Sequence, residues 1–140
     1  MQKNTLKKII EQYKKEIEQL IIGKANLEYR IKALEENLQN LTEELKKELD
    51  IFCKNSIDGF DIGSFIDNEL LKQKVAKSEI ESLLFDLENV TQEITDKNID
   101  KKTMEHLLDE ILLKEKIAEE KNEMKVIDAF ALYSATAKES

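Results

Sequence analysis

The chain has 140 residues, enough for one domain, with no proline, three glycines and no tryptophan. Charged residues make up 37% of it and aromatic residues only 6%. This composition excludes a thick globular core and favours uninterrupted helices that each bury one stripe. The net charge of −8 argues against nucleic acid as a partner, because phosphate binding needs a basic face.

Signatures of catalysis are missing from the sequence. Cys53 is the only cysteine and His106 the only histidine, so neither a disulfide nor a cysteine-based zinc site is expected. The three glycines form no phosphate-binding loop, and the many acidic pairs fit the solvated flanks of a coiled coil. We therefore expect a protein that works by binding, without enzymatic activity, cofactor or metal.

Membrane signals are also weak. The apolar cluster at Leu20–Ile22 is too short for the core of a signal peptide, and no apolar run approaches a membrane span. The sequence therefore predicts a cytoplasmic protein that is peripheral to a membrane at most.

The first predicted element is a helix over about residues 5–54. Its apolar residues alternate in steps of four and three, interrupted only by Lys24 and Glu48. A sustained 4-3 spacing keeps one seam facing a partner helix and is typical of a coiled coil. The seam residues are Leu6, Ile10, Tyr13, Ile17, Leu20, Leu27, Ile31, Leu34, Leu38, Leu41, Leu45 and Phe52.

A turn is predicted over about 55–63, where turn-forming residues and two glycines cluster. Four apolar residues are interleaved with them. They either plug the end of the coiled coil or form an exposed contact at the tip, and the sequence leaves both readings open. These residues are Ile57, Phe60, Ile62 and Phe65.

A second helix is predicted over about 64–137, with Ser64 and Asp67 resembling a capping box at its start. The 4-3 pattern weakens where Lys97 and Lys101 occupy seam positions. Asp100 could cap a restarted helix, so a distortion over 96–101 is possible.

Folding the second helix back on the first gives an all-α, antiparallel two-helix coiled-coil hairpin in one domain. A turn centred near residues 59–60 places residue i across from about residue 119 minus i. Leu6 then faces about residue 113. Gly23 and Lys24 face about residues 95–96, so weak points of both helices are expected to coincide.

The same arithmetic leaves the C-terminal part of the second helix overhanging, because the first helix ends opposite about residues 115–118. Val126, Phe130, Tyr133 and Ala137 are spaced so that they form one apolar stripe on this overhang. An unpaired apolar stripe is expected to be covered by a partner.

The length, the helical hairpin and the ending "EMKVIDAFALYSATAKES" together resemble the FliJ family, the small stalk proteins of flagellar and related type III export machines. Members often end in a lysine-rich helix with an Asp-x-Phe-Ala element. Lys125, Asp128, Phe130 and Ala131 match that arrangement, with Ala135 beyond it. The residue-level match covers about the last 18 positions and, more weakly, residues 59–80.

The resemblance implies a non-enzymatic cytoplasmic stalk, associated with the membrane export apparatus and monomeric when free. The end with both termini would enter the hexameric export ATPase, and the hairpin side would meet the membrane export gate and export chaperones. The ATPase-facing residues would be Lys125, Val126, Asp128, Phe130, Ala131 and Tyr133. The gate-facing residues would be Phe65, Leu71 and Val75.

The sequence departs from familiar members in being acidic, so no particular ion pair with an ATPase is carried over. An alternative is a structural coiled-coil adaptor or peripheral-stalk-like subunit that self-associates through its tail. A tight dimer through the tail would favour that alternative. A membrane-binding tail is disfavoured, because acidic residues outnumber lysines after residue 118.

Overall fold

A computed structural model describes the backbone of residues 2–55 and 62–139 and the side chains of 2–54 and 62–137. Two helices account for these ranges: α1 (Lys3–Asn55) and α2 (Ile62–Glu139). They pair as an antiparallel helical hairpin, so the predicted all-α hairpin with a longer second helix is confirmed. The predicted turn covers mainly residues 56–61, which lie outside the described residues. Ile57 and Phe60 belong to that segment.

Both helices begin slightly before the predicted positions. The amide nitrogen of Leu6 donates to the carbonyl oxygen of Gln2 at 3.1 Å, so α1 forms from its first described residues. Helix α2 begins at Ile62, which places Ser64 inside its first turn rather than at the cap before it. Ile62 and Phe65 are half-buried.

Helix α2 runs without a break through residues 96–101. The two lysines that interrupt the apolar seam there are engaged by carboxylates: Lys97 contacts Glu16 at 2.9 Å and Lys101 contacts Glu105 at 3.8 Å. The hydroxyls of Thr95 and Thr103 donate to backbone carbonyls one turn earlier. Because these polar groups are satisfied within the helical pair, the segment needs no distortion and Asp100 starts no new helix.

The hairpin divides into two compact units: Met1–Glu16 with Lys97–Ser140, called unit 1, and Ile17–Asp96, called unit 2. In unit 1 the seam is formed by the buried residues Leu6 and Ile10 and by half-buried residues of α2 such as Leu108 and Ile111. Among the described residues of unit 2, the buried apolar ones are Ile17, Ile31, Ala76 and Leu83.

The register of the hairpin differs from the prediction. Glu16 was expected across from residue 103, yet it pairs with Lys97, six residues earlier. Leu113, the predicted partner of Leu6, is 58% exposed, whereas Leu108 is half-buried. The Lys3–Glu115 ion pair, at 3.3 Å, is within one residue of the predicted register, because its two long side chains reach along the helices.

Unit 2 shows the same offset. Glu44, Glu48, Phe65 and Glu69 line one groove, whereas the predicted partners of Glu44 and Glu48 were residues 75 and 71. The expected facing of Gly23 and Lys24 with residues 95–96 is therefore wrong. Helices can slide along a seam with little change in which faces meet, so contacts between particular side chains are needed to choose the register.

Two polar residues of α2 are buried in unit 2, Glu69 and Gln73. Lys72 reaches Glu69 at 3.1 Å from within the same helix. Within the described part of the chain, the Nε2 atom of Gln73 is buried without a hydrogen-bond partner. A polar side chain at a seam position lowers stability but restricts the registers that the seam can adopt.

Candidate protein-interaction surfaces

The C-terminal end of α2, residues 112–139, is here called the overhang. Ile111 is the last half-buried seam residue, and from 112 to 137 every described residue is exposed except the half-buried Ser134. At 1.5 Å per residue the overhang is about 40 Å long. Helix α1 therefore stops covering α2 slightly before the predicted limit of 115–118.

Three predicted site residues share one face of the overhang and are called the front stripe: Val126, Phe130 and Tyr133. Steps of four and three residues keep them within about 60° of one another around a helix. All three are at least 68% exposed. Such exposed aromatic area is typical of binding surfaces.

The other three predicted site residues of the overhang lie elsewhere around the helix. Lys125 and Asp128 are exposed and lie more than about 90° away from the centre of the front stripe. Ala131 is exposed on a different side again. The structure therefore groups Val126, Phe130 and Tyr133 on one face and leaves Ala131 and the two charged residues of the predicted site outside it.

A second apolar stripe, of which the sequence-based site contained only Ala131, runs along the overhang and is called the back stripe. Successive members are four, seven, three and four residues apart. This is a 4-3 pattern in which one position is polar and is occupied by Glu120. The pattern is readable in the sequence, but it lies on a different face from the seam that packs on α1. The back stripe consists of Leu113, Ile117, Met124, Ile127 and Ala131.

The back stripe faces away from α1. Leu113 follows the half-buried Ile111 by two residues, which is about 200° around a helix. Leu113, Met124 and Ile127 are all more than half exposed. The overhang is thus apolar on two sides, which is typical of a helix that is enclosed when its partners are bound.

Two of the three residues predicted to face the gate line a groove in unit 2. Leu71 and Val75 are more than half exposed and border a cavity of about 410 Å³ between the helices. Phe65 does not belong to this groove, because it lines the acidic one near Glu44, Glu48 and Glu69. The groove is lined by Leu34, Asn37, Leu41, Leu71, Lys72, Val75, Ala76 and Glu79.

One carboxyl group in unit 1 has a perturbed pKa. Nζ of Lys97 donates to one oxygen of Glu16 at 2.9 Å, and Nε2 of Gln12 donates to the other at 3.2 Å. These hydrogen bonds stabilise the carboxylate, Lys97 most, and they hold the pKa of Glu16 below its ordinary value of 4.5. This is an ion pair of the helical seam, and it lies outside the three surfaces described above.

Cys53 and His106 are both exposed. Among the described residues, no three side chains of His, Cys, Asp or Glu come together so as to hold a metal ion. In the same part of the chain, neither helix contains a stretch long and apolar enough to cross a membrane.

Comparison of the chain with protein families, with curated proteins and with solved structures found no match.

Proposed function

We propose that this protein is a non-enzymatic stalk of a flagellar-type protein export apparatus, which binds the ring of the export ATPase through its overhang. The exposed front stripe carries the proposal. It provides apolar and aromatic area on a single helix that α1 does not cover. The same segment holds the residues that resemble the FliJ family most closely.

The mechanism is one of contact rather than chemistry. A single helix placed within a six-fold ring touches only some subunits at a time, so it favours one conformation in those subunits over the others. The energy comes from ATP hydrolysis by the partner. Between residues 124 and 137 only Lys125 and Asp128 carry charge, so the ring surface that receives this segment is expected to be largely apolar.

The hairpin side of the stalk is proposed to bind the export gate or export chaperones through the groove of Leu71 and Val75. An open apolar groove between two helices fits the apolar face of a partner helix. Lys72 and Glu79 at its border would orient that helix through their opposite charges. Phe65, in the acidic groove, is left out of this contact.

The ATPase contact is tested with the double variant Phe130→Ala and Tyr133→Ala. Removing two exposed aromatic side chains from an interface is expected to weaken binding to the purified ATPase by about tenfold or more. Stimulation of ATP hydrolysis should fall in parallel. Helicity by circular dichroism should be unchanged, because neither side chain packs against α1.

The matched control is Tyr29→Ala with Phe85→Ala, which removes the same two residue types from unit 2. Tyr29 is 75% exposed and Phe85 64%, against 74% for Tyr133 and 71% for Phe130. The control should bind the ATPase like the native chain. Equal affinity of the overhang variant and the native chain would show that the front stripe is not the ATPase contact.

A further inference from the structure

In unit 2 the acidic groove continues the apolar groove along the same side of the two helices. Asn37 of the apolar groove and Glu44 of the acidic groove are seven residues apart on α1. Phe65, Lys72 and Glu79 follow one another at the same spacing on α2. Residues seven apart lie within about 20° of each other around a helix, so both grooves open on one side. The two grooves together are here called the furrow.

The furrow is long enough for a helix of about four turns. It extends over residues 34–48 of α1 and residues 65–79 of α2. Each stretch is about 21 Å long at 1.5 Å per residue, so a helix lying in the furrow contacts both α1 and α2 along its length. The centre of the acidic part lies about 12 Å, or two turns, from the centre of the apolar part.

The charge of the furrow is concentrated at one end. Of the described residues that line it, four are glutamates and one is a lysine: Glu44, Glu48, Glu69, Glu79 and Lys72. Lys72 reaches Glu69 at 3.1 Å within α2. Glu44 and Glu48 are exposed one turn apart on α1 and present two carboxylates to a partner. Lysine or arginine side chains are attracted there, whereas an acidic segment is repelled.

We infer that the furrow binds an amphipathic helix of a partner protein, with an apolar face and, about two turns from its centre, two or more lysines or arginines. The apolar face covers Leu71 and Val75, and the basic residues lie against Glu44 and Glu48. The inference rests on the hairpin-side contact proposed above. It adds the chemistry of the partner helix and the direction in which its charge runs along the furrow.

Selection from a display library of helical peptides about 18 residues long tests this chemistry without assuming the identity of the partner. Peptides that also bind a chain with Leu71→Glu and Val75→Glu are removed first, because they bind other surfaces such as the overhang. The peptides that remain on the native full chain should combine a 4-3 apolar face with lysines or arginines near one end.

The same selection on a chain with Glu44→Gln and Glu48→Gln should still enrich the apolar face but no longer the basic residues. Enrichment of peptides without basic residues by the native chain would overturn the inference. So would a library from which the furrow enriches no peptide.

The acidic end is measured by titrating the most enriched peptide and following its fluorescence anisotropy. Glu44→Gln with Glu48→Gln should weaken binding about fivefold, and the difference should shrink as salt screens these exposed charges. The matched control is Glu28→Gln with Glu35→Gln, which makes the same charge change on α1. Both control residues are exposed, and Glu35 lies about 200° around the helix from Asn37. Equal weakening by both pairs would show that net charge, rather than the furrow, attracts the peptide.

The apolar end is measured with the same peptide. Leu71→Ala should weaken binding about tenfold. Leu70→Ala is the matched control, because Leu70 is 50% exposed against 59% for Leu71 but does not line the furrow. If both variants had the same effect, or neither had any, the peptide would not lie in the furrow and the inference would fail.

Failure of the inference differs from failure of the proposed function. If the furrow selects basic helices but neither the purified gate nor the chaperones bind the chain, the export role is wrong and the inference stands. Suppose instead that one of them binds and loses affinity in Leu71→Ala with Val75→Ala, but not in Glu44→Gln with Glu48→Gln. The export role then stands and the inference is overturned.

Discussion

Polar side chains lie in the seam of both units, and in unit 1 a charged pair joins α1 to α2. In unit 1, both carboxylate oxygens of Glu16 accept hydrogen bonds, one from Lys97 and one from Gln12. In unit 2, Gln73 is buried with one unsatisfied donor in the described structure. Leucines at seam positions would pack in several registers, whereas a carboxylate and an ammonium group gain only when they are adjacent.

The pair of Glu16 and Lys97 predicts a pH dependence of stability. Because the pKa of Glu16 is lowered in the folded chain, the stabilisation is fully present above the ordinary value of 4.5. It is lost as the pH falls through the lowered pKa and the carboxylate is protonated. The urea midpoint of Lys97→Ala should therefore lie below that of the native chain at neutral pH and approach it in acid.

The control for this pH experiment is Lys102→Ala, which removes an exposed lysine from the same helix. Its difference from the native chain should stay nearly constant with pH. If the Lys97→Ala difference also stayed constant, the ion pair would not stabilise the fold.

At the level of the helix, α1 is continuous over 53 residues although Gly23 lies near its middle. A methyl group added at Gly23 would have no atom within 4 Å apart from its chain neighbours and the backbone of its own helical turns, so the glycine is not needed for close packing against other groups. Glycine inside a helix costs about 0.5–1 kcal/mol relative to alanine, mainly through backbone entropy. Gly23 therefore lowers the stability of the helix α1 itself and not that of its packing against α2.

Gly23→Ala is therefore expected to raise the free energy of unfolding by about 0.5–1 kcal/mol, measured by urea denaturation. Ala25→Gly, the reverse change at an exposed position two residues away, should lower it by a similar amount. A loss of stability in Gly23→Ala would mean that the glycine has a structural role that the open space around it does not reveal.

At the level of the whole molecule, the two proposed partner contacts belong to different compact units. The front stripe is in unit 1, and the groove with Leu71 and Val75 is in unit 2. Sites that share no side chains are expected to contribute independently to binding. One chain could then hold the ATPase and the gate or a chaperone at once.

Leu71→Ala with Val75→Ala should weaken binding to the gate or chaperone and leave ATPase affinity unchanged. Phe130→Ala with Tyr133→Ala should do the reverse. In the variant with all four changes, the loss of binding free energy for each partner should equal the sum of the losses in the two double variants within about 0.5 kcal/mol. Titration of each variant with each purified partner measures this. If either double variant lost binding to both partners, the two surfaces would not be separate.

Periodicity and composition determined the all-α hairpin, the helix bounds to within a few residues and the apolar face of the overhang. Each depends on which residues recur along one chain, and Val126, Phe130 and Tyr133 are as exposed as their spacing predicts. The tertiary structure decided what depends on two segments at once: the register that pairs Glu16 with Lys97, and the groove that includes Leu71 but not Phe65. A 4-3 pattern specifies the face that a helix buries, but helices that slide by whole heptads bury the same faces, so only contacts between particular side chains settle their alignment.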